Sequence, residues 1–290
     1  MKYEGMIIRP PSEAASLILQ VTVGCSHNKC TFCSVYKEKR FRIKKIDEIE
    51  EDIMEASNYG FIERVFLCDG DALIIPQGRL VEILKSIKNN IKGVKRVGIY
   101  ANAKSILRKT PDDLIELREL GLKIIYLGVE TGSKELLKKI KKGAGYQQMV
   151  EAGRKVKEAG ITLSVTVLLG IGGRDESVKH AMDTARILTD IDPDYVGALT
   201  VMLQFGTPLY EEHMSGEFVL PDTFGFLEEL GLITANSDFT NCFFTSNHAS
   251  NYLPIKARMP HEKDKTVKTI YDVIKSGDPG ILKPEYLRGF

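Results

Sequence analysis

Cys25-Ser26-His27-Asn28-Lys29-Cys30-Thr31-Phe32-Cys33 holds three of the chain's five cysteines. It follows the apolar run Leu17-Ile18-Leu19-Gln20-Val21-Thr22-Val23, whose length and β-branched content predict a buried strand. Gly24 breaks that strand, so the cysteines sit on the loop leaving its C-terminal end. Three thiolates this close in sequence can converge on one inorganic centre. A cubane iron–sulfur cluster is normally held by four cysteines; three leave one iron open to a small molecule. Other readings compete. Zinc can take Cys25, His27, Cys30 and Cys33 as a three-thiolate, one-imidazole site, although structural zinc usually draws its ligands from two separated pairs. The odd cysteine count and the lack of a signal-peptide pattern argue against a disulfide framework. Reduced core cysteines fit poorly with the polar Ser26, His27, Asn28 and Lys29 between them.

Outward from this loop, strands and helices alternate. Ile46, Ile49, Ile53 and Ala56 fall on one face of a first helix. Arg64–Cys68 reads as the second strand, Leu80 to Ile91 as the second helix and Val97–Ala101 as the third strand. The third helix is punctuated by Thr110 as N-cap, Pro111 at its first position and Gly121 after its last turn. Ile124–Val129 is the fourth strand; two short helices, one around Leu136 and Ile140 and one around Val150 and Val156, follow it. Ile161–Leu169 is the fifth strand, Ala181 to Leu188 marks a helix, and Tyr195–Leu203 is the sixth strand. This order predicts a parallel sheet with helical crossovers, its strands apolar on both faces. Beyond 204 the rhythm is lost: a helix from Asp222 to Ile233, a strand from Asn241 to Thr245 and a last helix from Lys263 to Ile274 are expected. Residues 1–16 read as an irregular segment covering one end of the fold.

The cysteine stretch resembles the cluster loop of the radical S-adenosylmethionine (SAM) enzymes. Their usual spacing puts three residues and then two between the cysteines, with an aromatic just before the last. Phe32 stands in the aromatic place and the second gap matches; the first gap has four residues here. The resemblance covers about residues 15–203. It implies an α/β fold, a partial (β/α)6 barrel with a C-terminal α/β extension, divided as 1–203 and 204–290. It also implies a [4Fe-4S] cluster on Cys25, Cys30 and Cys33, SAM on the open iron, and a low-potential electron donor such as a flavodoxin or ferredoxin.

In α/β barrels function gathers at the C-terminal ends of the strands. The second strand ends in Cys68-Asp69-Gly70-Asp71. The family usually has Gly-Gly-Glu here, meeting the methionine ammonium of SAM, so Asp69, Gly70 and Asp71 are candidates; the competing reading is a capped turn. Asn102, after the third strand, is a candidate contact to SAM or substrate, or a turn asparagine. Glu130, after the fourth, matches the family position near the ribose hydroxyls; a buried ion pair is its alternative. Ser133 reads as an N-cap, and Lys141 or Lys142 as a solvated lysine or a partner for the SAM carboxylate. Gly170, in Gly170-Ile171-Gly172-Gly173, resembles the family's adenine contact, and Val196 on the sixth strand a wall beside the adenine; tight-loop glycine and packed strand are the alternatives. Cys68 and Cys242 read as buried hydrophobes and His248 as structural or as a substrate contact.

Forty basic and 39 acidic residues leave a net charge of +1, which gives no general attraction to nucleic acid or membrane. A small organic substrate is therefore expected ahead of RNA or a peptide. No apolar run spans a bilayer, and the expected compartment is a reducing cytoplasm. The most basic stretch, Tyr36 to Lys45, is either a solvated loop or a docking patch for an acidic electron donor.

Overall fold

A computed structural model describes residues 1–289. They form two compact units, each built from discontinuous segments. The first comprises Met1–Asn28, Val35–Leu127 and Glu151–Leu163; the second comprises Lys29–Ser34, Gly128–Val150 and Ser164–Phe290. No helix among the described residues is long and apolar enough to cross a membrane.

The first unit opens with β1 (Leu17–Gln20) and β2 (Thr22–Val23), which pairs antiparallel with β3 (Arg42–Ile43). The single strand expected over Leu17–Val23 is thus split at Val21, whose N–H turns to the Cys68 carbonyl at 2.7 Å. There follow α1 (Ile46–Ala56), β4 (Arg64–Cys68), α2 (Gln77–Asn90), β5 (Arg96–Ala101), α3 (Ala103–Arg108), α4 (Pro111–Glu119) and β6 (Leu122–Glu130). β1, β4, β5 and β6 pair in that order, all parallel. The helices cover them by helical spacing: Ile49, Ile53 and Ala56 of α1 and Leu80, Ile83, Leu84 and Ile87 of α2 are buried. Each of these isoleucines and leucines contributes about 1.5–3 kcal/mol by leaving water. α4 begins as its sequence signals, with Thr110 and Asp113 forming a reciprocal capping box.

One face of these strands carries an aromatic cluster. Phe66, Tyr100 and Tyr126 meet edge to face, beside Cys68 and Ile124. A side chain on Gly98 would crowd Phe66, Ile124 and the Glu13 carboxylate. Glu13, from the irregular N-terminal segment, is fully buried there and bonded to Tyr126 Oη and to Arg96 at 2.5 Å.

The second unit holds α5 (Lys134–Lys139), α7 (Ser177–Ile191), β8 (Tyr195–Thr200), α8 (Pro208–Met214), α9 (Thr223–Asn236), β9 (Cys242–Thr245), β10 (Lys256–Met259) and α10 (Lys263–Ser276). α6 (Tyr146–Glu158) and β7 (Thr162–Leu169), like β6, have residues in both units. β7 pairs parallel with β8, and β9 pairs parallel with β8 on its other side. β10 then closes antiparallel on β9. Part of the segment expected to be an extension therefore continues the strand-pairing pattern, with α9 packed between α7 and α10.

Candidate functional site

Gly24 has φ +77°, a conformation that favours glycine, and its N–H donates to Asp69 Oδ2 at 3.0 Å. Asp69 is fully buried at the end of β4; Oδ2 also receives Lys39 Nζ at 3.3 Å, and Oδ1 has no partner among the described residues. The Cys68–Asp69 peptide bond is cis. Gly70 lies against the first cysteine: an added Cβ would stand 2.9 Å from Cys25 Cβ and 2.6 Å from the Tyr36 ring. Any side chain at 70 would displace Cys25, so glycine is required by packing. Tyr36 in turn accepts Asn28 Nδ2 on its carbonyl at 2.6 Å and lies under Lys39 Nζ. Burial pushes the Tyr36 hydroxyl far above its ordinary range.

The rest of the cysteine loop is anchored within the second unit. Thr31 N–H donates to the Ile140 carbonyl at 3.0 Å, and Leu209 N–H donates to the Thr31 carbonyl at 3.1 Å. Ser34 Oγ reaches Gln204 Oε1 at 3.4 Å. Cys25, Cys30, Cys33 and Phe32 are each half-buried. Half-exposed thiols on a polar, anchored loop suit an iron–sulfur cluster, whose irons are normally ligated by thiolate. Among the described residues no three His, Cys, Asp or Glu side chains are gathered around a point for a single metal ion.

Asp71 is fully buried and takes four donors. Asn102 N–H (3.1 Å) and Ser105 Oγ (2.6 Å) reach Oδ1; Asn102 Nδ2 (2.7 Å) and Ser26 Oγ reach Oδ2. Burial pushes its pKa up, against these hydrogen bonds. Asn102 also caps α3 by accepting Ser105 N–H at 2.8 Å. Two candidate SAM contacts, Asp71 and Asn102, thus bind each other and join Ser26 of the cysteine loop to α3.

At the end of β6, Lys142 Nζ pairs with Glu130 Oε1 at 2.7 Å, both largely buried. Lys142 is therefore not a solvated lysine. Glu130 has φ +67°, a left-handed conformation costing about 1–2 kcal/mol for a side-chain-bearing residue. A Cβ on Gly128 would occupy the space into which that carboxylate folds back. Thr131 Oγ1 meets His180 Nδ1 at 2.9 Å, and a Cβ on Gly132 would collide with the Asp183 carbonyl of α7. Ser133 is the N-cap of α5, as its sequence position signals.

Gly170 has φ +80°, and a Cβ there would run into the Phe226 ring of α9. Its N–H donates to Glu229 Oε2 at 2.6 Å, while Ser177 Oγ donates to Glu229 Oε1 at 2.7 Å. The close approach that glycine permits is to α9. Glu229 is fully buried, which raises its pKa to about 7; complete burial lowers that of His180, 3.7 Å away, to about 4. Neither residue carries a motif that sequence reasoning isolates. Val196 is buried on the face of β8 opposite Gly197 and Leu199, which keep some exposure. His248 Nδ1 bonds both Ser250 Oγ (2.9 Å) and Ser250 N–H (3.1 Å). Cys68 and Cys242 are buried, and burial pushes the Cys68 thiol up, away from a reactive thiolate.

Two of the six basic side chains in the basic stretch, Lys39 and Lys44, are turned inward. Lys44, 1% exposed, pairs with Asp52 at 2.9 Å; Arg42 pairs with Glu48 and Glu4; Lys39 is held by Asp69 and the Met6 carbonyl. Lys37, Arg40 and Lys45 remain exposed.

Residues 19–186 match the model of the Radical SAM superfamily. The chain is 25% identical over 235 residues to a tRNA-2-methylthio-N(6)-dimethylallyladenosine synthase of Clostridium tetani, covering 78% of this chain and 51% of the relative. It is 28% identical over 189 residues to 3-methylornithine synthase of Methanosarcina acetivorans, covering 63% and 50%. The chain spans about half the length of these curated relatives. Among solved structures it resembles a methylornithine synthase (TM-score 0.55, 22% identity, 77% of this chain and 63% of that one). It also resembles a radical S-adenosylmethionine methyltransferase from Kitasatospora setae, solved with cobalamin and a [4Fe-4S] cluster bound (TM-score 0.57, 19% identity, 71% and 41%).

Proposed function

Because this chain belongs to the radical SAM superfamily, we propose that it seats a [4Fe-4S] cluster on Cys25, Cys30 and Cys33 and cleaves SAM to initiate radical chemistry on a small organic molecule. Members of the family use this cluster and SAM. Held by Cys25, Cys30 and Cys33, such a cluster would supply the electron for reductive cleavage of SAM and so the radical chemistry on substrate. The observation that carries the reading is the three-cysteine loop on the strand that opens the parallel series, inside the matched residues.

The chain's own residues position and exclude. Asp69 and Lys39 hold the hinge at Gly24, and Gly70 lets the end of β4 pack on Cys25. The Asp71 hub keeps Ser26 and Asn102 in register. Glu130, with Lys142 as counter-ion, is an acceptor for ribose hydroxyls at the end of β6. On β8, the partly exposed Gly197 and Leu199 suit an apolar ligand wall better than the buried Val196 does. A flavodoxin or ferredoxin in a reducing cytoplasm is the proposed electron source.

The test is anaerobic reconstitution with iron and sulfide. Wild type gains the brown cluster absorbance and, under dithionite, forms 5′-deoxyadenosine from SAM. Cys25→Ala, Cys30→Ala and Cys33→Ala each lose the absorbance; its retention in all three rejects the site. A second reading, modification of RNA, is favoured by the tRNA-synthase relatives that align with most of this chain. Tight tRNA binding that weakens steeply with salt would select it.

A further inference from the structure

The gap between Cys25 and Cys30 has four residues where three are usual. One residue of surplus chain, up to about 3.5 Å, must therefore be turned out of the loop's path. Asn28 is where the backbone turns. Its φ is +43°, and among the described residues from Cys25 to Cys33 no other has a positive φ. Most side-chain-bearing residues avoid that conformation; asparagine is among those that tolerate it.

The turn is tied at both of its polar groups. Asn28 Nδ2 donates to the Tyr36 carbonyl at 2.6 Å, and the Asn28 carbonyl accepts Lys37 Nζ at 3.0 Å. Tyr36 is a firm anchor. It is 8% exposed, and its carbonyl also accepts Lys39 N–H at 3.1 Å. Lys39 is itself held by Asp69 and the Met6 carbonyl. The Tyr36 ring and Cys25 share one neighbour, since a Cβ on Gly70 would crowd both. A brace thus runs from Cys25 to Gly70, to the Tyr36 ring, and through the Tyr36 carbonyl back to Asn28.

A longer loop leaves its first thiolate more freedom unless the surplus is fixed. Groups behind a metal ligand set its orientation and the hold of the site on its metal. We propose that Asn28 is a positioning residue for the cluster, taking up the surplus residue of the first gap and bracing Cys25 through Tyr36 and Gly70. This rests on the reading that Cys25, Cys30 and Cys33 seat a [4Fe-4S] cluster.

The test follows loss of the brown absorbance when EDTA is added to the anaerobically reconstituted full chain. Asn28→Gly takes the positive φ freely and lacks the amide; it should lose iron about fivefold faster than wild type, the worth of one hydrogen bond. Asn28→Val lacks both and should lose iron about tenfold faster again. If Asn28→Val does not fold, Asn28→Asp takes its place; it sets an oxygen against the Tyr36 carbonyl and should release iron faster than wild type. Urea midpoints of the cluster-free chains separate positioning from folding. An asparagine that serves the fold alone lowers the midpoint in Asn28→Val and leaves iron release unchanged. That result, or equal release from wild type and variants, overturns the inference and leaves the cluster standing. A wild type that gains no cluster absorbance ends both.

Discussion

Asp71 is held by four donors on two oxygens, and that arrangement sets what its loss does. Asp71→Ala takes the carboxylate from Asn102 and Ser26 donors that then keep only longer contacts, while Ser105 Oγ retains the Asn102 carbonyl at 2.9 Å. The expected loss is about 3 kcal/mol, from an unmet cost of about 1–3 kcal/mol per buried group, read by denaturant unfolding of the cluster-free chain. If Asp71 served SAM alone, stability would hold and only SAM affinity would fall. Lys44 obeys the same logic with a full charge. Lys44→Met leaves Asp52 buried without its counter-ion and is expected to cost about 3–5 kcal/mol by the same measurement. Residue chemistry was partly legible in the sequence. Asp-Gly-Asp at a strand end was legible as a polar stretch whose glycine lets a ligand approach; in the structure Gly70 packs against protein. That the neighbour would be Cys25 and Tyr36 was not legible, because it depends on how two distant loops cross.

Helix α9 shows how one element governs another. Its Glu229 receives the Gly170 N–H and lies beside His180 of α7, so two buried titratable groups of opposite kind share one place. Glu229 titrates near 7 in the folded chain and near 4.5 when unfolded. Between those values the native state holds a proton the unfolded state releases, so its contribution falls as pH rises. His180 titrates near 4 folded and 6.5 unfolded, so its contribution rises with pH between those values. Each shift corresponds to about 3 kcal/mol, and across the shared window, about pH 4.5 to 6.5, the two oppose each other. Urea midpoints of wild type should therefore be nearly flat there. Glu229→Gln should gain stability as pH rises, and His180→Gln should lose it. Gly170→Ala should cost about 2–4 kcal/mol at any pH, through its positive φ and the Phe226 ring. Elements with strong punctuation, such as α4, were readable from sequence. The split at Val21, the short α3 and α8 and strand β10 were not: each is held by distant partners or is too short to show a period. Gly170 invited a ligand explanation because its neighbour, Phe226, is far off in sequence.

At the scale of the whole molecule, a charge of +1 and a basic stretch whose Lys39, Arg42 and Lys44 are paired with carboxylates leave little fixed field for a polyanion. Filter binding of tRNA to the full chain should be no tighter than about 10⁻⁵ M at physiological salt and only weakly salt-dependent. A strong dependence would move the substrate proposal to RNA. The alternation of strands and helices was visible in the sequence, since parallel strands buried on both faces read as continuous apolar runs. The parallel pairing of β9 on β8 was hidden in a stretch without rhythm. The interleaved segments of the two units have a consequence for biosynthesis. A nascent chain exposes its three cysteines early, yet the backbone partners of Thr31 are Ile140 and Leu209. At about 5–20 residues per second, the ribosome takes on the order of ten seconds or more to deliver the second of these. Iron offered before then meets a loop still free to move, so loading belongs after Leu209 has emerged, and a chain ending at residue 203 should keep less iron than the full one.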